Sequence, residues 1–219
     1  MRGEQPDREL LLGVLGAEWL ERLFAKLFDE REFLSPYGLR SMSAYHRLHP
    51  YVLEVEGVRA SIDYEPAEST TTMFGGNSNW RGPVWFPLNY LLVSVLARYY
   101  RFFGESFTVE YPTGSGRRLT LDRIVEDLCD RLISLFLVGQ DGRRPCFGGV
   151  DRLQRDPAWK DHLLFNEYFH GDNGAGLGAS HQTGWTGLVA DMIRRRHRAV
   201  DTLGELLRDT LTHTSPPPL

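Results

Sequence analysis

The sequence predicts a mainly helical domain whose working residues sit on loops between helices. Three observations carry this. Apolar residues recur at three- and four-residue steps in four stretches, 8–31, 88–99, 120–135 and 188–198, the period of an α-helix with one buried face. One stretch, 51–64, alternates as a strand does. The segments between the helical stretches are dense in glycine, asparagine, tryptophan and histidine, as functional loops often are.

The first helix is read over 8–31. Leu12, Leu15, Trp19, Leu23 and Leu27 form one line, with Glu18, Glu21, Arg22 and Lys26 off it, so that line is the expected core face. "SPYGLRSMS" (Ser35 to Ser43) breaks the period and reads as loop. "YVLEVEGVRASIDY" (51–64) follows, with Glu56-Gly57 placed to turn a short hairpin. "GGNSNWRGPVWFPLNY" (75–90) is a second loop and feeds the next helix. Pro87 suits its first turn, Leu88, Leu91, Leu92, Val95, Leu96 and Tyr99 make its expected buried face, and Gly104 closes it.

Residues 107–118 read as an exposed turn around "PTGSG". Thr120 is placed to cap a third helix, with Leu121, Ile124, Val125, Leu128, Leu132 and Leu135 inward and Gly139 beyond it. "GQDGRRPCFGG" (139–149) is loop. The fourth helix opens near Trp185, with Leu188, Val189, Met192 and Ile193 as its apolar stripe. Arg194, Arg195, Arg196 and Arg198 crowd its last turns, where cations favour the negative end of the helix dipole, and they read as a solvated helix end. A further short helix is expected over 199–212, before the tail "TSPPPL". The chain thus divides into 1–198 and a C-terminal helix and tail, 199–219.

Composition narrows the function. The 219 residues suit one domain or a large part of one. A net charge of −4 gives no sign of nucleic-acid or membrane-surface binding, and no apolar run approaches the ~20 residues that cross a bilayer. Cys129 and Cys146 form neither a CxxC pair nor a metal-ligand spacing, and no signal peptide opens the chain, so a reduced, cytoplasmic protein is expected. The missing leader has a second explanation, that the chain is a piece of a longer one. Aromatic residues are 12% of the chain; they fill cores and also line sugar-binding clefts.

The chemistry concentrates in "LLFNEYFHGDNGAGLGASHQTGWTGL" (163–188). Glu167 lies among Phe165, Tyr168 and Phe169; a partly desolvated carboxylate suits general-base work on a water. The competing reading is a structural carboxylate serving loop amides or an arginine, and locally it is the commoner case. "GDNGAGLGAS" precedes a helix start, where backbone N–H groups bind anions, but it lacks a P-loop lysine and the G-x-G-x-x-G spacing; a tight loop allowing close backbone approach fits better. His46 and His49 lack a partner set for a metal. His170 and His181 suit a sugar hydroxyl or backbone bonding equally, and Ser180-His181 lacks the shaped turn of a serine nucleophile. Trp80, Arg81, Trp85 and Trp185 suit carbohydrate, with flat apolar faces for a pyranose ring and a guanidinium for vicinal hydroxyls. For Trp85, between Pro83 and Pro87, core packing is an equal alternative.

Taken together, "GGNSNWRGPVWFPLNYLL" and "FNEYFHGDNGAGLGASHQTGWTGLVA" resemble the C-terminal catalytic domain of glycoside hydrolase family 63. That family includes the processing α-glucosidase I of N-glycan maturation and bacterial mannosylglycerate and glucosylglycerate hydrolases. "WRGPVW…NY", "NEYF" and "HQTGWTGL" occur in matching order over about 35–196. The chain looks most similar to large bacterial and fungal members of unassigned substrate, and the pattern around Glu167 departs from that of glucosidase I, so N-glycan processing is not carried over.

The resemblance implies an (α/α)6 barrel, here interrupted by a short β-hairpin, and an inverting mechanism with an aspartate acid and a glutamate base. Glu167 matches the base. Trp80, Arg81, Trp85, Asn89, Tyr168, His181, Gln182 and Trp185 match or adjoin the sugar site. No metal or cofactor is implied. Twelve helices do not fit in this chain, and the segment bearing the family's acid has no match before Ser35. The expectation is therefore a C-terminal part of such a barrel, α-glucosidase-like, inactive alone and completed by the missing N-terminal part. Two rivals from other classes are a carbohydrate-binding or interaction module on the same scaffold, for which an absent acid is no loss, and a phosphate-binding or nucleotide enzyme, disfavoured by the missing motifs.

Overall fold

The computed structural model describes residues 15–71 and 79–197. Helix α1 (Ala17–Leu27) is followed by a tight ribbon of β1 (Leu34–Ser35) and β2 (Gly38–Leu39), then by the hairpin of β3 (Tyr51–Val55) and β4 (Val58–Ile62). Helix α2 (Phe86–Phe103) leads through β5 (Thr108–Glu110) and β6 (Arg118–Thr120) into α3 (Leu121–Ser134). A short helix, α4 (Asp151–Arg155), precedes the ribbon of β7 (Tyr168–Phe169) and β8 (Gly176–Leu177), and α5 (Thr183–Thr186) and α6 (Val189–His197) follow.

The described residues are thus helix-rich with four separate two-stranded antiparallel sheets. They make no closed barrel, and the arrangement is compatible with one part of a helical toroid. The expected single hairpin is corrected to four ribbons, because three of them are two or three residues long and leave too little alternation to read. The helix expected over 199–212, the start of the first helix, most of the "GGNSNW" loop and Arg198 lie outside the described residues.

Helix α3 is the centre of the core, with α2 on one side and α6 on the other. Its inward residues are those expected: Leu121, Ile124, Leu128, Leu132 and the following Leu135 are fully buried. Full burial of each leucine or isoleucine is worth roughly 1.5–3 kcal/mol relative to exposure. Asp122, Arg123, Glu126 and Asp130 complete the polar side. Thr120 occupies the N-cap position with extended backbone, although its hydroxyl turns to Asp122 and leaves the helix amides alone.

The faces of α1 and α2 differ from expectation. In α1, Leu20 and Phe24, with Phe28 just beyond it, are buried against Tyr99, Phe107 and Tyr111, whereas Leu15, Trp19 and Leu23 face outward. In α2 the core side carries Phe86, Asn89, Tyr90, Val93, Ser94 and Leu96, and Leu88, Leu91 and Val95 are exposed. Each helix is apolar on two sides, and periodicity cannot choose between them. Phenylalanine stacking decides for α1. Hydrogen bonds from Asn89 and Tyr90 decide for α2. Pro87 does sit in the first turn of α2, which stops at Gly104.

The arginine run ending α6 is also corrected. Arg195 is nearly buried: it donates to Asp191, to the Tyr90 hydroxyl and to Ser94 Oγ at 3.0 Å, so it ties α6 to α2. Arg196 pairs with Asp130 on α3. The β3–β4 hairpin is as expected. Glu56 (φ 51°) and Gly57 (φ 78°) both adopt positive φ, the two-residue turn whose twist matches the strands; glycine takes that region without steric cost. No described helix is long and apolar enough to cross a membrane.

Candidate active site

Two loops meet to make the site. The residue before Trp85, Val84, exchanges backbone hydrogen bonds with Phe169 of β7 at 2.8 and 3.0 Å and also bridges Arg40. The "WRGPVW" segment therefore docks as an extra short strand on the β7–β8 ribbon, and Trp85 comes to lie beside Tyr168. Their rings stack 4.7 Å apart, Trp80 lies parallel to Trp85 at 4.0 Å, and Trp185 meets Trp85 edge-on at 6.3 Å. Trp85 and Tyr168 are buried, while Trp80 and Trp185 are 40% and 37% exposed. The stack thus has an inner pair fixed by packing and an outer pair open to solvent. Trp85 is further held by its indole N–H, which donates to the Asn79 carbonyl at 3.0 Å.

Glu167 immediately precedes Tyr168. Its backbone N–H donates to the Ala179 carbonyl at 2.8 Å, and its Oε2 accepts from the Ala179 N–H at 3.2 Å, so carboxylate and backbone are anchored by the same residue across the ribbon. Gly178 makes this possible. Its φ is 67°, and a Cβ there would stand 2.7 Å from Glu167 Oε2. The glycine run is therefore the far strand and tip of a ribbon that lets backbone approach the carboxylate closely. The Tyr168 phenol is pushed up to about 12, chiefly by burial and then by the negative charges of Glu68 and Glu167.

The other sequence-derived site residues are placed unequally. His181 bridges Phe165, and the Gln182 N–H donates to the Phe165 carbonyl at 2.7 Å; both are exposed at the start of α5, beside Trp185. Arg81 is buried. Its guanidinium is taken up by Glu65, by Asp63 at 3.4 Å, by Ser69 Oγ at 2.9 Å and by Thr71 Oγ1 at 3.2 Å. Asn89 is buried too, its amide bound to the Leu39 N–H (2.7 Å), the Leu39 carbonyl (3.0 Å) and the Trp85 carbonyl (2.9 Å). These two hold the loops that carry the stack, Arg81 from below and Asn89 from the head of α2.

Sequence reading missed a third tie. Asp172, at the tip of the ribbon, accepts from the Tyr64 hydroxyl at 2.8 Å, from Arg40 at 3.2 Å and from Arg47 at 2.5 Å. Burial pushes its carboxyl up, but the Tyr64 hydrogen bond and the two arginines outweigh this and leave it below the usual aspartate range. A carboxylate held ionised in this way is not a proton donor. Beside it, His170 accepts the Asp172 and Asn173 N–H groups on Nδ1, and burial lowers its imidazole from the ordinary value, against the pull of Asp172. Nothing in the local sequence marked these partners, which lie more than 100 residues apart; the only available signal was an aspartate in a glycine loop with arginines elsewhere. Among the described residues, no cluster of three or more His, Cys, Asp or Glu is arranged to hold a metal ion.

The arrangement is a half-buried carboxylate beside an aromatic platform. An uncharacterized protein of Saccharomyces cerevisiae, YMR196W, is 49% identical over 186 residues, covering 84% of this chain and 17% of that protein. The probable mannosyl-oligosaccharide glucosidase of Schizosaccharomyces pombe is 25% identical over 191 residues, 86% of this chain and 17% of its own length. The mannosyl-oligosaccharide glucosidase of Saccharomyces cerevisiae is 25% identical over 177 residues, 80% of this chain and 15% of its own. The chain spans about a sixth of the length of these relatives. The family of mannosylglycerate hydrolase MGH1-like glycoside hydrolase domains matches residues 10–186, a stretch that contains α1 to α5, the tryptophan stack and Glu167. The chain belongs to this family, and through it is related to glycoside hydrolase family 63.

Proposed function

We propose that this chain carries the general base of an inverting, α-glucosidase-like O-glycosidase acting on oligosaccharides or small glycosides. The observation that supports this best is Glu167, anchored by Ala179 at the edge of the Trp80–Trp85–Tyr168–Trp185 stack. A pyranose ring lying on the exposed faces of Trp80 and Trp185 would present its anomeric carbon near this carboxylate. Glu167 then takes a proton from the attacking water, while an acid on the opposite side of the sugar protonates the leaving oxygen. His181 and Gln182 are positioned to bond hydroxyls. Arg81 and Asn89 act one step back, by fixing the loops.

The acid is the part we assign elsewhere. Asp172 shares the ribbon with Glu167 and is held ionised. Further polypeptide, packing on the outward stripes Leu15–Trp19–Leu23 and Leu88–Leu91–Val95, would supply it and complete the cleft. Alone, the 219-residue chain is expected to show no turnover of aryl α- or β-glycosides or of glucose disaccharides. The two free, buried cysteines fit a reducing, cytoplasmic setting. The same ionised Asp172 favours a second reading, a carbohydrate-binding module without catalysis.

The experiment is Glu167→Gln in the intact protein. The change keeps shape and removes basicity, so hydrolysis should fall by ~10²–10⁴-fold while sugar binding persists. Near-normal turnover would place the base elsewhere; binding without turnover in the wild type would favour the module.

A further inference from the structure

The loop before the tryptophans holds one acidic residue, Glu68, whose carboxylate has no hydrogen-bond or charge partner among the described residues. Residues 65–69 are pinned on both sides of Glu68. The Asn79 amide donates to the Glu65 carbonyl at 2.7 Å and the Ala67 carbonyl at 2.6 Å. The Gly171 N–H donates to the Pro66 carbonyl at 2.9 Å, and Arg81 reaches Ser69 Oγ at 2.9 Å. Neighbouring carboxylates are committed, Asp63 and Glu65 to Arg81 and Asp172 to Arg40 and Arg47. Glu68 is exposed, and among the described residues its carboxylate makes no hydrogen bond or salt bridge.

The loop that carries this carboxylate is tied to the site. Asn79, which fixes the loop at Ala67, also accepts the Trp85 indole N–H through its carbonyl, so the backbone next to Glu68 and the inner ring of the stack share one anchor. After burial, the negative charges of Glu68 and Glu167 both push the Tyr168 phenol up.

We propose that Glu68 is a sugar-binding carboxylate of this site, accepting hydrogen bonds from vicinal hydroxyls of a ring stacked on Trp80 and Trp185. A fixed loop holding a carboxylate acceptor beside an aromatic platform loses little freedom when a polyol binds, and hydrogen bonds to carboxylate oxygens are among the strong ones. The assignment rests on the carbohydrate reading of the site and adds a residue to it.

The test uses the intact protein, with D-glucose, D-mannose and D-galactose titrated against tryptophan fluorescence and 4-nitrophenyl α-D-glucoside as the turnover probe. Glu68→Gln and Glu68→Ala should weaken the best-bound sugar by about tenfold or more and raise KM by a similar factor. The kcat should stay within a few-fold and the thermal transition should be unchanged, because among the described residues the side chain makes no hydrogen bond or salt bridge. If the wild type binds a sugar and both variants bind it equally well, Glu68 is not a ligand although the carbohydrate reading stands. If kcat falls and KM does not, Glu68 takes part in the chemistry and the binding assignment is overturned. If the wild type binds none of the three sugars and leaves the glucoside intact, the proposal falls together with the reading beneath it.

Discussion

Helices α2 and α3 pack against each other and use their apolar residues in opposite ways. On α3 Leu121, Ile124, Leu128 and Leu132 form one stripe, all of it buried, and acids and arginines line the opposite side. On α2 the buried side includes Asn89, Tyr90 and Ser94, and a good aliphatic stripe of Leu88, Leu91 and Val95 is left facing solvent. The difference shows that a helix surrounded by its own domain needs one apolar face, whereas a helix with two is specified by its polar bonds. Asn89 and Tyr90 choose the inward side because their partners, the Leu39 backbone and the Asp191–Arg195 pair, lie there.

The comparison can be broken most directly at α3. Leu132→Ala should cost about 2–5 kcal/mol, because a fully buried leucine leaves a cavity that its neighbours only partly fill; chemical denaturation of the 219-residue chain measures it. A loss under about 1 kcal/mol would mean that α3 is not the centre of the core. Next comes Asn89→Ala. It strips partners from the Leu39 N–H and carbonyl in a buried place, and leaving such groups unsatisfied costs about 1–3 kcal/mol. An equal loss from Leu88→Ala would show that the inward and outward sides of α2 had been exchanged.

A pH series reaches the ribbon that carries Glu167. The folded carboxyl of Asp172 lies below its ordinary value, so its contribution to stability is complete above the ordinary aspartate range and is lost as pH falls through the lowered folded value. Denaturation midpoints should drop on acidification below about pH 4, and less steeply in Asp172→Asn. Identical slopes for the two proteins would deny that the Tyr64–Arg40–Arg47 cluster holds an ionised aspartate. The smallest effect is expected at Leu91→Ser, within about 0.5 kcal/mol for the 219-residue chain, as for exposed positions generally. A markedly larger loss in the intact protein would show that the stripe is covered there.

The sequence told the third helix, the start of the second and the Glu56-Gly57 hairpin, because each has a local signature: one apolar period, a proline in the first turn, two residues suited to positive φ. It brought Glu167 and the tryptophans into view because they stand in recognisable motifs. It was silent on the partners of Asp172, which lie more than 100 residues away, and it assigned Arg81 to the ligand when the acids that take up its charge are only 16 and 18 residues upstream. Side-chain type shows what a residue can bond, and only the meeting of loops shows what it does bond.

The β3–β4 hairpin has a consequence for motion. Tyr51, Leu53 and Val55 face Ile62, Ala60 and Val58 across the ladder on one side, and Glu54 pairs with Arg59 on the other. Nearly every residue of it is exposed, so it leans on little but itself, and a two-stranded ribbon alone is only marginally stable in water. It should open and close without disturbing α3. In deuterium-exchange measurements its amides would label early, while those of Leu128 and Leu132 would wait for the whole core to unfold.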